Sequence, residues 1–292
     1  MLHTANSRSA QDMIRALLQS FSVEITPTDE KSVTAATDLP SGTEVFIASL
    51  PTVKPDQVIG AAVRLRRAGL IPVPHLAARN IASEVALDDL LKRLTQEAGV
   101  DRALVIGGDR DEPAGAFREG LQLLQTGLLG KHGLTSVYLP SYPEGHPRIS
   151  DASLAAARRD KLDLALSAGF RVGFISQFCF AAEPIVDLAS SIHRLAPHVS
   201  FRAGVAGPTS RAALLKYALI CGVGPSLRAF KERPAIASSL VSGETPEALL
   251  GEIADRALRQ HTRVNGVHFF TFGSLARTVA FIRQMDPDAA AA

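Results

Sequence analysis

Short apolar runs recur along the chain and alternate with segments of helical periodicity, and this alternation constrains the fold more than any other feature. The runs lie at residues 21–25, 45–49, 70–75, 103–107, 135–139, 172–178, 201–205 and 266–270. Near-continuous apolar strands of this kind are typical of a parallel sheet covered on both faces. Eight of them in series predict an α/β fold, namely a (β/α)8 TIM barrel.

The segments between the runs have the character of amphipathic helices. Residues 58–68 and 84–98 carry apolar side chains at three- and four-residue spacing, and an alanine-rich segment at 152–168 is closed by Gly169. A long helical insert, residues 225–261, is predicted between the seventh and eighth strands. A doubly wound open sheet is the alternative fold, but no GxGxxG motif follows the first strand to support a dinucleotide-binding version.

We expect a single catalytic domain spanning residues 1–292, because no linker-like segment divides the chain. The 31 basic and 29 acidic residues give a net charge of +2, so there is no electrostatic reason to expect nucleic acid or a membrane surface as a partner. No apolar run approaches the roughly 20 residues of a membrane span, and the N-terminus lacks signal-peptide character, so a cytoplasmic location is expected. Barrel enzymes often self-associate, and a homo-oligomer is left open.

The cysteines and the acidic residues give no sign of metal chemistry. Cys179 and Cys221 lie in apolar surroundings and are expected to be two buried thiols. No grouping of Cys, His, Asp and Glu has the spacing of a metal site, and no GxSxG or Cys/His nucleophile arrangement occurs. The chain is therefore expected to hold an organic ligand.

Polar or aromatic residues stand at nearly every predicted strand exit, where barrel enzymes keep their chemistry. In chain order they are Glu24, Ser49, His75, Asp109, Tyr142, Glu144, His146, Gln177, Thr271 and Phe272. Glu24 could be an outward-facing residue of an edge strand, but a closed barrel has no edge and burying an unpaired carboxylate is costly. We therefore favour a functional role for Glu24.

Three other exit residues have competing structural interpretations. Asp109 follows Gly107 and Gly108, which would let a ligand approach the backbone, although a helix cap or turn aspartate is the alternative. Gln177 interrupts an apolar run, and a buried amide needs hydrogen-bond partners that a polar ligand could supply. His75 is as compatible with a structural role as with a functional one.

Taken in order, these residues resemble the methylenetetrahydrofolate reductase family, whose members are flavin-dependent (β/α)8 barrels. The most specific segments are Tyr-Pro-Glu-Gly-His-Pro at 142–147 and Gln-Phe at 177–178. Others are Ser-Val-Glu-Ile-Thr-Pro at 22–27, Pro-His-Leu at 74–76, Gly-Asp at 108–109 and His-Phe-Phe-Thr at 268–271. The resemblance spans about residues 21–281 and depends on the order and spacing of these segments.

The resemblance implies reduction of 5,10-methylenetetrahydrofolate to 5-methyltetrahydrofolate by NADH or NADPH through bound FAD. Glu24 matches the family's general acid, which helps to open the folate ring, and Asp109 matches the residue beside pterin and flavin. Gln177 matches the amide that hydrogen-bonds the pterin edge. The positions that match the flavin lining are Ser49, His75, Gly108, Asp109, Tyr142 and His146.

The chain also departs from the family pattern. Gly107 stands where the family has an arginine, and Arg158 and Ala165 stand where it offers an aspartate and a lysine to the FAD ribose and phosphates. Lys161 lies one helical turn from Ala165, so we assign Arg158 and Lys161 to the cofactor. Phe272 begins a Phe-Gly-Ser segment in place of Leu-Asn-Arg and is expected to stack on the aromatic part of folate.

These departures keep three alternatives open. The chain could pass hydride directly from NAD(P)H to the folate without a flavin. It could be a folate-binding protein without reductase activity, although binding alone does not require an acid at Glu24. It could also be a pterin-dependent methyltransferase barrel that uses no redox cofactor.

Overall fold

The computed structural model describes residues 11–221, 223 and 246–286. Its eight strands follow one another in sequence order around a closed parallel barrel, which confirms the predicted (β/α)8 fold. The strands are β1 (Ser22–Ile25), β2 (Glu44–Ile47), β3 (Ile71–Ala77), β4 (Arg102–Ile106), β5 (Ser136–Ser141), β6 (Arg171–Ser176), β7 (Ser200–Ala206) and β8 (Gly266–Phe270).

Helices occupy the connections between the strands. They are α1 (Glu30–Ala35), α2 (Pro55–Arg67), α3 (Glu84–Ala98), α4 (Gly120–Gln125), α5 (Leu128–Lys131), α6 (Asp151–Ser167), α7 (Ala182–Leu195), α8 (Arg211–Ile220), α9 (Glu247–Arg259) and α10 (Leu275–Met285). Short 3-10 turns cover Ala36–Asp38 and Ala78–Asn80. Of the predicted insert, α9 lies in the described part, and residues 225–245 lie outside the described residues.

The helix ends follow from ordinary capping chemistry. α3 begins after Ser83, whose hydroxyl accepts a hydrogen bond from the Ala86 amide at 3.1 Å. It ends at Gly99, which adopts a left-handed φ of 58° that glycine takes without steric cost. Gly169 closes α6 in the same way, with a φ of 84°. The predicted end of this helix is therefore correct to within one residue.

Six strand ends differ from the sequence prediction by one or two residues, and three of these differences concern candidate site residues. β3 continues to Ala77, because its buried last residues pair with β4 as far as Ile106, and His75 therefore lies within the strand. β6 ends at Ser176, so Gln177 is the first loop residue. The backbone amide of Gln177 donates a hydrogen bond to the Ser141 carbonyl at 2.8 Å. β2 ends at Ile47, which places Ser49 in the loop that follows.

The chain divides into two compact units. The first, here the Glu24 unit, comprises Glu24–Pro140 and Ala152–Phe174. The second, here the Gln177 unit, comprises Ser141–Asp151 with the described parts of Met1–Val23 and Ile175–Ala292. The single-domain assignment remains a prediction.

A buried polar network lies at the strand starts of the Glu24 unit. Glu44, the first residue of β2, is 6% exposed and accepts a hydrogen bond from the Arg102 guanidinium at the start of β4. The Tyr138 hydroxyl of β5 lies 2.8 Å and 2.7 Å from the two Glu44 carboxylate oxygens and donates to this group. Buried charges need such partners, and the strand-start end of a barrel serves stability. The network therefore joins three strands away from their exits.

The two cysteines differ in burial. Cys179 is buried as predicted, whereas Cys221 is half-buried because it directly follows the last turn of α8. Among the described residues, no helix is both long and apolar enough to cross a bilayer.

Candidate active site

Glu24 and His75 face each other in the Glu24 unit. Their closest atoms, Glu24 Oε2 and His75 Nε2, are 3.4 Å apart, and their side chains are 22% and 8% exposed. Burial raises the pKa of Glu24 above that of an ordinary glutamate, and the charge of Asp109 raises it further, while the positive charge of protonated His75 lowers it. A carboxyl group that keeps its proton nearer to neutral pH can act as a general acid.

Asp109 is presented on a glycine turn directly after β4. Gly108 has a φ of 96°, and a Cβ at this position would lie 3.1 Å from the Ala77 Cβ, so a larger residue would be both strained and crowded. A Cβ at Gly107 would meet no described heavy atom within 4 Å. The backbone next to Asp109 therefore borders open space, as a ligand-approach surface requires.

A hydrogen-bonded group that sequence reasoning missed surrounds Ser49. Asn80 Nδ2 donates to the Ser49 carbonyl at 2.9 Å and lies 3.1 Å from its hydroxyl oxygen. Arg110 donates from Nε to Asn80 Oδ1 at 3.2 Å and from Nη2 to the Pro51 carbonyl at 2.8 Å. The available signal was positional, since Asn80 ends the turn after β3 and Arg110 follows Asp109.

Arg158 and Lys161 are half-buried cations on α6. Burial lowers the pKa of Lys161 to about 8, against the opposing effect of the Glu119 charge. Burial, and then the charge of Arg159, lower the pKa of Arg158. Neither cation forms an ion pair with a described carboxylate, and the buried Arg158 Nε has no hydrogen-bond partner among the described residues. The pair thus offers positive charge suited to an anionic ligand.

Tyr142 and His146 come together in a tight turn of the Gln177 unit. Their ring centroids are 5.3 Å apart in an edge-to-face arrangement. Gly145 donates its amide to the Tyr142 carbonyl at 3.3 Å, and its φ of 76° allows the turn to close. The Tyr-Pro-Glu-Gly-His segment therefore brings the two predicted flavin-lining rings together.

Gln177 lies at the exit of β6 and is half-buried. Its side-chain oxygen accepts a hydrogen bond from the amide of the next residue, Phe178, at 3.0 Å. Its side-chain nitrogen donates to no described residue, so both N–H groups, together with the second lone pair of the oxygen, remain for a ligand.

Aromatic rings cluster around Phe178 at the exits of the Gln177 unit. The fully buried Phe178 ring lies 5.3 Å from Phe270 and 5.1 Å from Phe272, measured between centroids. Phe272 also stacks on Tyr217 of α8 at 4.5 Å with an interplanar angle of 17°. Phe272 has a φ of 48°, which is uncommon for a residue with a side chain and marks a functional candidate. Sequence reasoning missed Tyr217.

The structure therefore brings some predicted residues together within each unit. Glu24 and His75 are in contact, and the charge of Asp109 reaches Glu24. Phe272 joins the cluster of Phe178, the neighbour of Gln177. No described contact links the α6 cations to the Glu24–His75 pair. In the described part of the chain, no group of three or more His, Cys, Asp and Glu side chains could hold a metal ion.

Comparison with known proteins identifies similar barrels. No protein family model matches the chain. An uncharacterised protein from Clostridium thermocellum that binds two copies of 5-methyl-5,6,7,8-tetrahydrofolic acid is 13% identical, with a TM-score of 0.56 over 93% of this chain and 98% of that one. At this identity the likeness shows the fold.

Two further solved structures show weaker likenesses. A dihydropteroate synthase from Thermus thermophilus is 15% identical, with a TM-score of 0.47 over 92% of this chain and 93% of that one. A 2,3-dimethylmalate lyase of the PEP mutase/isocitrate lyase superfamily is 10% identical, with a TM-score of 0.49 over 94% and 83%.

Proposed function

We propose that this protein reduces 5,10-methylenetetrahydrofolate to 5-methyltetrahydrofolate with NADH or NADPH. The observation that carries the proposal is Glu24, an enclosed carboxyl group with a raised pKa, 3.4 Å from His75 on a barrel strand. Binding alone does not require an enclosed acid at this position, and burying a carboxyl group costs free energy. A ring-opening reduction needs a proton donor of this kind.

Two further observations support a folate as the substrate. The NH2 group of Gln177 suits the hydrogen-bonding edge of a pterin, and the half-buried ring of Phe272 suits a flat aromatic group. The solved neighbour that binds 5-methyltetrahydrofolate supports the same ligand class.

The residues of the chain have distinct roles in the proposed reaction. Protonated Glu24 donates its proton to the folate nitrogen that leaves the methylene carbon, which opens the five-membered ring to an iminium. Positive charge on His75 favours the carboxylate that remains, because an opposite charge lowers the pKa of Glu24. The carboxylate of Asp109 stabilises positive charge on the iminium. Hydride transfer to the methylene carbon completes the reduction.

The resemblance to the reductase family implies a bound FAD. The two cations on α6 suit the negatively charged diphosphate of that cofactor. Arg158 has a buried nitrogen without a partner among the described residues, and Lys161 has an enclosed amine, so both suit the diphosphate group. Bound FAD would supply hydride carriage between the nicotinamide and the folate. Arg158 stands where the family offers an aspartate to the ribose, so this contact would differ.

The test is an assay for 5-methyltetrahydrofolate, with NADH or NADPH as donor and with or without added FAD. Product formed only with FAD supports the proposal as stated. Product formed by a flavin-free protein establishes direct hydride transfer. Calorimetric binding of 5-methyltetrahydrofolate without turnover indicates a folate-binding protein, and methyl transfer to an acceptor without a nicotinamide indicates a methyltransferase. If the protein neither binds 5-methyltetrahydrofolate nor turns the substrate over, the proposal is wrong.

FAD binding is checked separately through Lys161. In wild type, FAD affinity is expected to fall as the pH rises through about 8, because Lys161 loses its charge there. Lys161→Met should weaken FAD binding at pH 7 and remove this pH dependence, whereas Lys92→Met, at an exposed position on α3, should change neither. Flavin fluorescence provides the readout. An unchanged affinity in Lys161→Met would remove the α6 cations from the cofactor site.

A further inference from the structure

We infer that Arg110 is a positioning residue that ties together the loops after β2, β3 and β4 and thereby holds Asp109 in place. The inference rests on the proposed function for what Asp109 does, but the contacts of Arg110 stand independently. We call the set of Arg110, Asn80, Ser49 and Pro51 the Arg110 bridge.

The bridge spans three strand exits with one guanidinium group. Arg110 follows β4, donates to the Asn80 side chain after β3, and donates to the Pro51 carbonyl after β2. Asn80 extends the connection to both the carbonyl and the hydroxyl oxygen of Ser49. The planar fork of arginine can reach two acceptors at once with little loss of conformational freedom, which a lysine cannot do.

The backbone of the same loop is held from the other side by Arg79. The Arg79 Nε donates to the Arg110 carbonyl at 2.5 Å, and its Nη2 donates to the Asp111 carbonyl. The Arg79 amide also donates to the Gly107 carbonyl at 2.8 Å. The carbonyl of Arg110 is thus fixed by one arginine, while its own side chain fixes the neighbouring exits.

The position of Asp109 depends on these contacts of its neighbours, because its own side chain forms no hydrogen bond with a described residue. That side chain is exposed, and two glycines precede it. Glycine restricts the backbone less than any other residue, so the chain before Asp109 is held by the contact of the Arg79 amide with the Gly107 carbonyl and not by the glycines themselves. After Asp109 the chain is held through the side chain of Arg110, so loss of that side chain should release the backbone that carries the Asp109 carboxylate.

The test compares Arg110→Ala with a matched control. Arg66 likewise donates two hydrogen bonds, from Nε to the Ala98 carbonyl at 3.0 Å and from Nη2 to the Gly99 carbonyl at 2.7 Å, but it joins two helix ends. Arg110→Ala should lower kcat about 10-fold or more while the KM for the folate changes little, because misplaced groups cost transition-state stabilisation. Arg66→Ala should leave kcat unchanged.

Rescue separates positioning from a general loss of structure. Added guanidinium ion at millimolar concentration should restore part of kcat to Arg110→Ala, and Arg110→Lys should retain an intermediate kcat because an ammonium reaches only one acceptor. If Arg110→Ala keeps wild-type kcat, or if both alanine variants lose activity equally and guanidinium restores neither, the inference is wrong.

Hydrogen exchange tests the bridge without any turnover. The hydrogen-bonded backbone amides of Val53, Arg79 and Ala114, which lie in the bridged loops, should exchange faster in Arg110→Ala than in wild type, and they should be unchanged in Arg66→Ala. Unaltered exchange in Arg110→Ala would overturn the bridge itself. A wild-type protein that fails to bind or reduce the folate would instead overturn the proposed function, and the exchange result would still decide whether Arg110 holds the loops.

Discussion

The strand exits of the Glu24 unit and of the Gln177 unit differ in the kinds of side-chain contact that they contain. In the Glu24 unit, charge and hydrogen bonds connect the exit residues, as in the Glu24–His75 pair and the Arg110 bridge. In the Gln177 unit, packed rings around Phe178 dominate, and Tyr217 and Phe272 are stacked in parallel. The exits of one unit are therefore held by charge and hydrogen bonds, and those of the other by aromatic packing.

This difference has a consequence for how each unit responds to substitution. Polar exit groups gain little stability from being enclosed, so their loss should affect chemistry more than folding. Buried rings contribute most of their free energy through packing, so their loss should affect folding first. The predictions below test this division, beginning with the largest effect.

Glu24→Gln should separate rate from stability most clearly. Loss of the general acid should lower the rate of a single turnover by about 100- to 10,000-fold. The thermal midpoint should rise at pH values above the pKa of Glu24, because the raised pKa means that ionised Glu24 disfavours the folded state there. Stopped-flow kinetics and calorimetry provide the two measurements.

The control for this prediction is Glu30→Gln, at an exposed carboxylate on α1. It should leave the single-turnover rate unchanged. A Glu24→Gln variant that keeps its rate, or that becomes less stable than wild type above the pKa of Glu24, would contradict the assignment of Glu24 as an enclosed acid.

Phe178→Ala should show the opposite pattern. Truncating a fully buried phenylalanine is expected to lower the free energy of unfolding by about 3–5 kcal/mol, because transfer and cavity costs add. Urea denaturation measures this loss, with Phe178→Leu as the milder variant that keeps part of the packing. A loss below about 1 kcal/mol would show that the aromatic cluster does not stabilise its unit.

Phe272 tests the boundary between the two patterns, because its ring packs while its backbone is strained. Phe272→Gly should be more stable than Phe272→Ala by about 1 kcal/mol, since only glycine takes a φ of 48° without cost. Both variants lose the ring, so both should bind 5-methyltetrahydrofolate more weakly than wild type. Equal stabilities, or unchanged affinities, would remove the strain or the stacking role respectively.

Asp109→Asn and His75→Gln should shift the pH dependence of kcat/KM by small amounts in opposite directions, apart from the loss of rate expected when Asp109 no longer stabilises the iminium. The acid form of Glu24 is the active one, so kcat/KM falls as the pH rises through its pKa. Removing the negative charge of Asp109 lowers the pKa of Glu24 and should move this limb to lower pH. Removing the positive charge of His75 raises the pKa and should move the limb to higher pH. Shifts in the same direction would refute the electrostatic account.

The sequence allowed the barrel to be predicted because strand and helix periodicities are local. It also identified Glu24, since an acid within an apolar strand conflicts with its surroundings. The Arg110 bridge was missed because its partners are distant along the chain: Arg110 contacts Pro51 across 59 positions, and Asn80 contacts Ser49 across 31. The contact of Tyr217 with Phe272 depends in the same way on the packing of α8, which no local pattern reveals.

The hydrogen bond between the Gln177 oxygen and its own neighbouring amide limits what a ligand can present at that position. With one of its two lone pairs occupied, the oxygen has less hydrogen-bonding capacity left than the NH2 group, whose two N–H donors favour a bound compound that turns a lone pair toward them. Compounds with a carbonyl oxygen or an unprotonated ring nitrogen at that edge should therefore be selected over analogues with an amino group there. Inhibitor libraries can be filtered by this criterion before any affinity is measured.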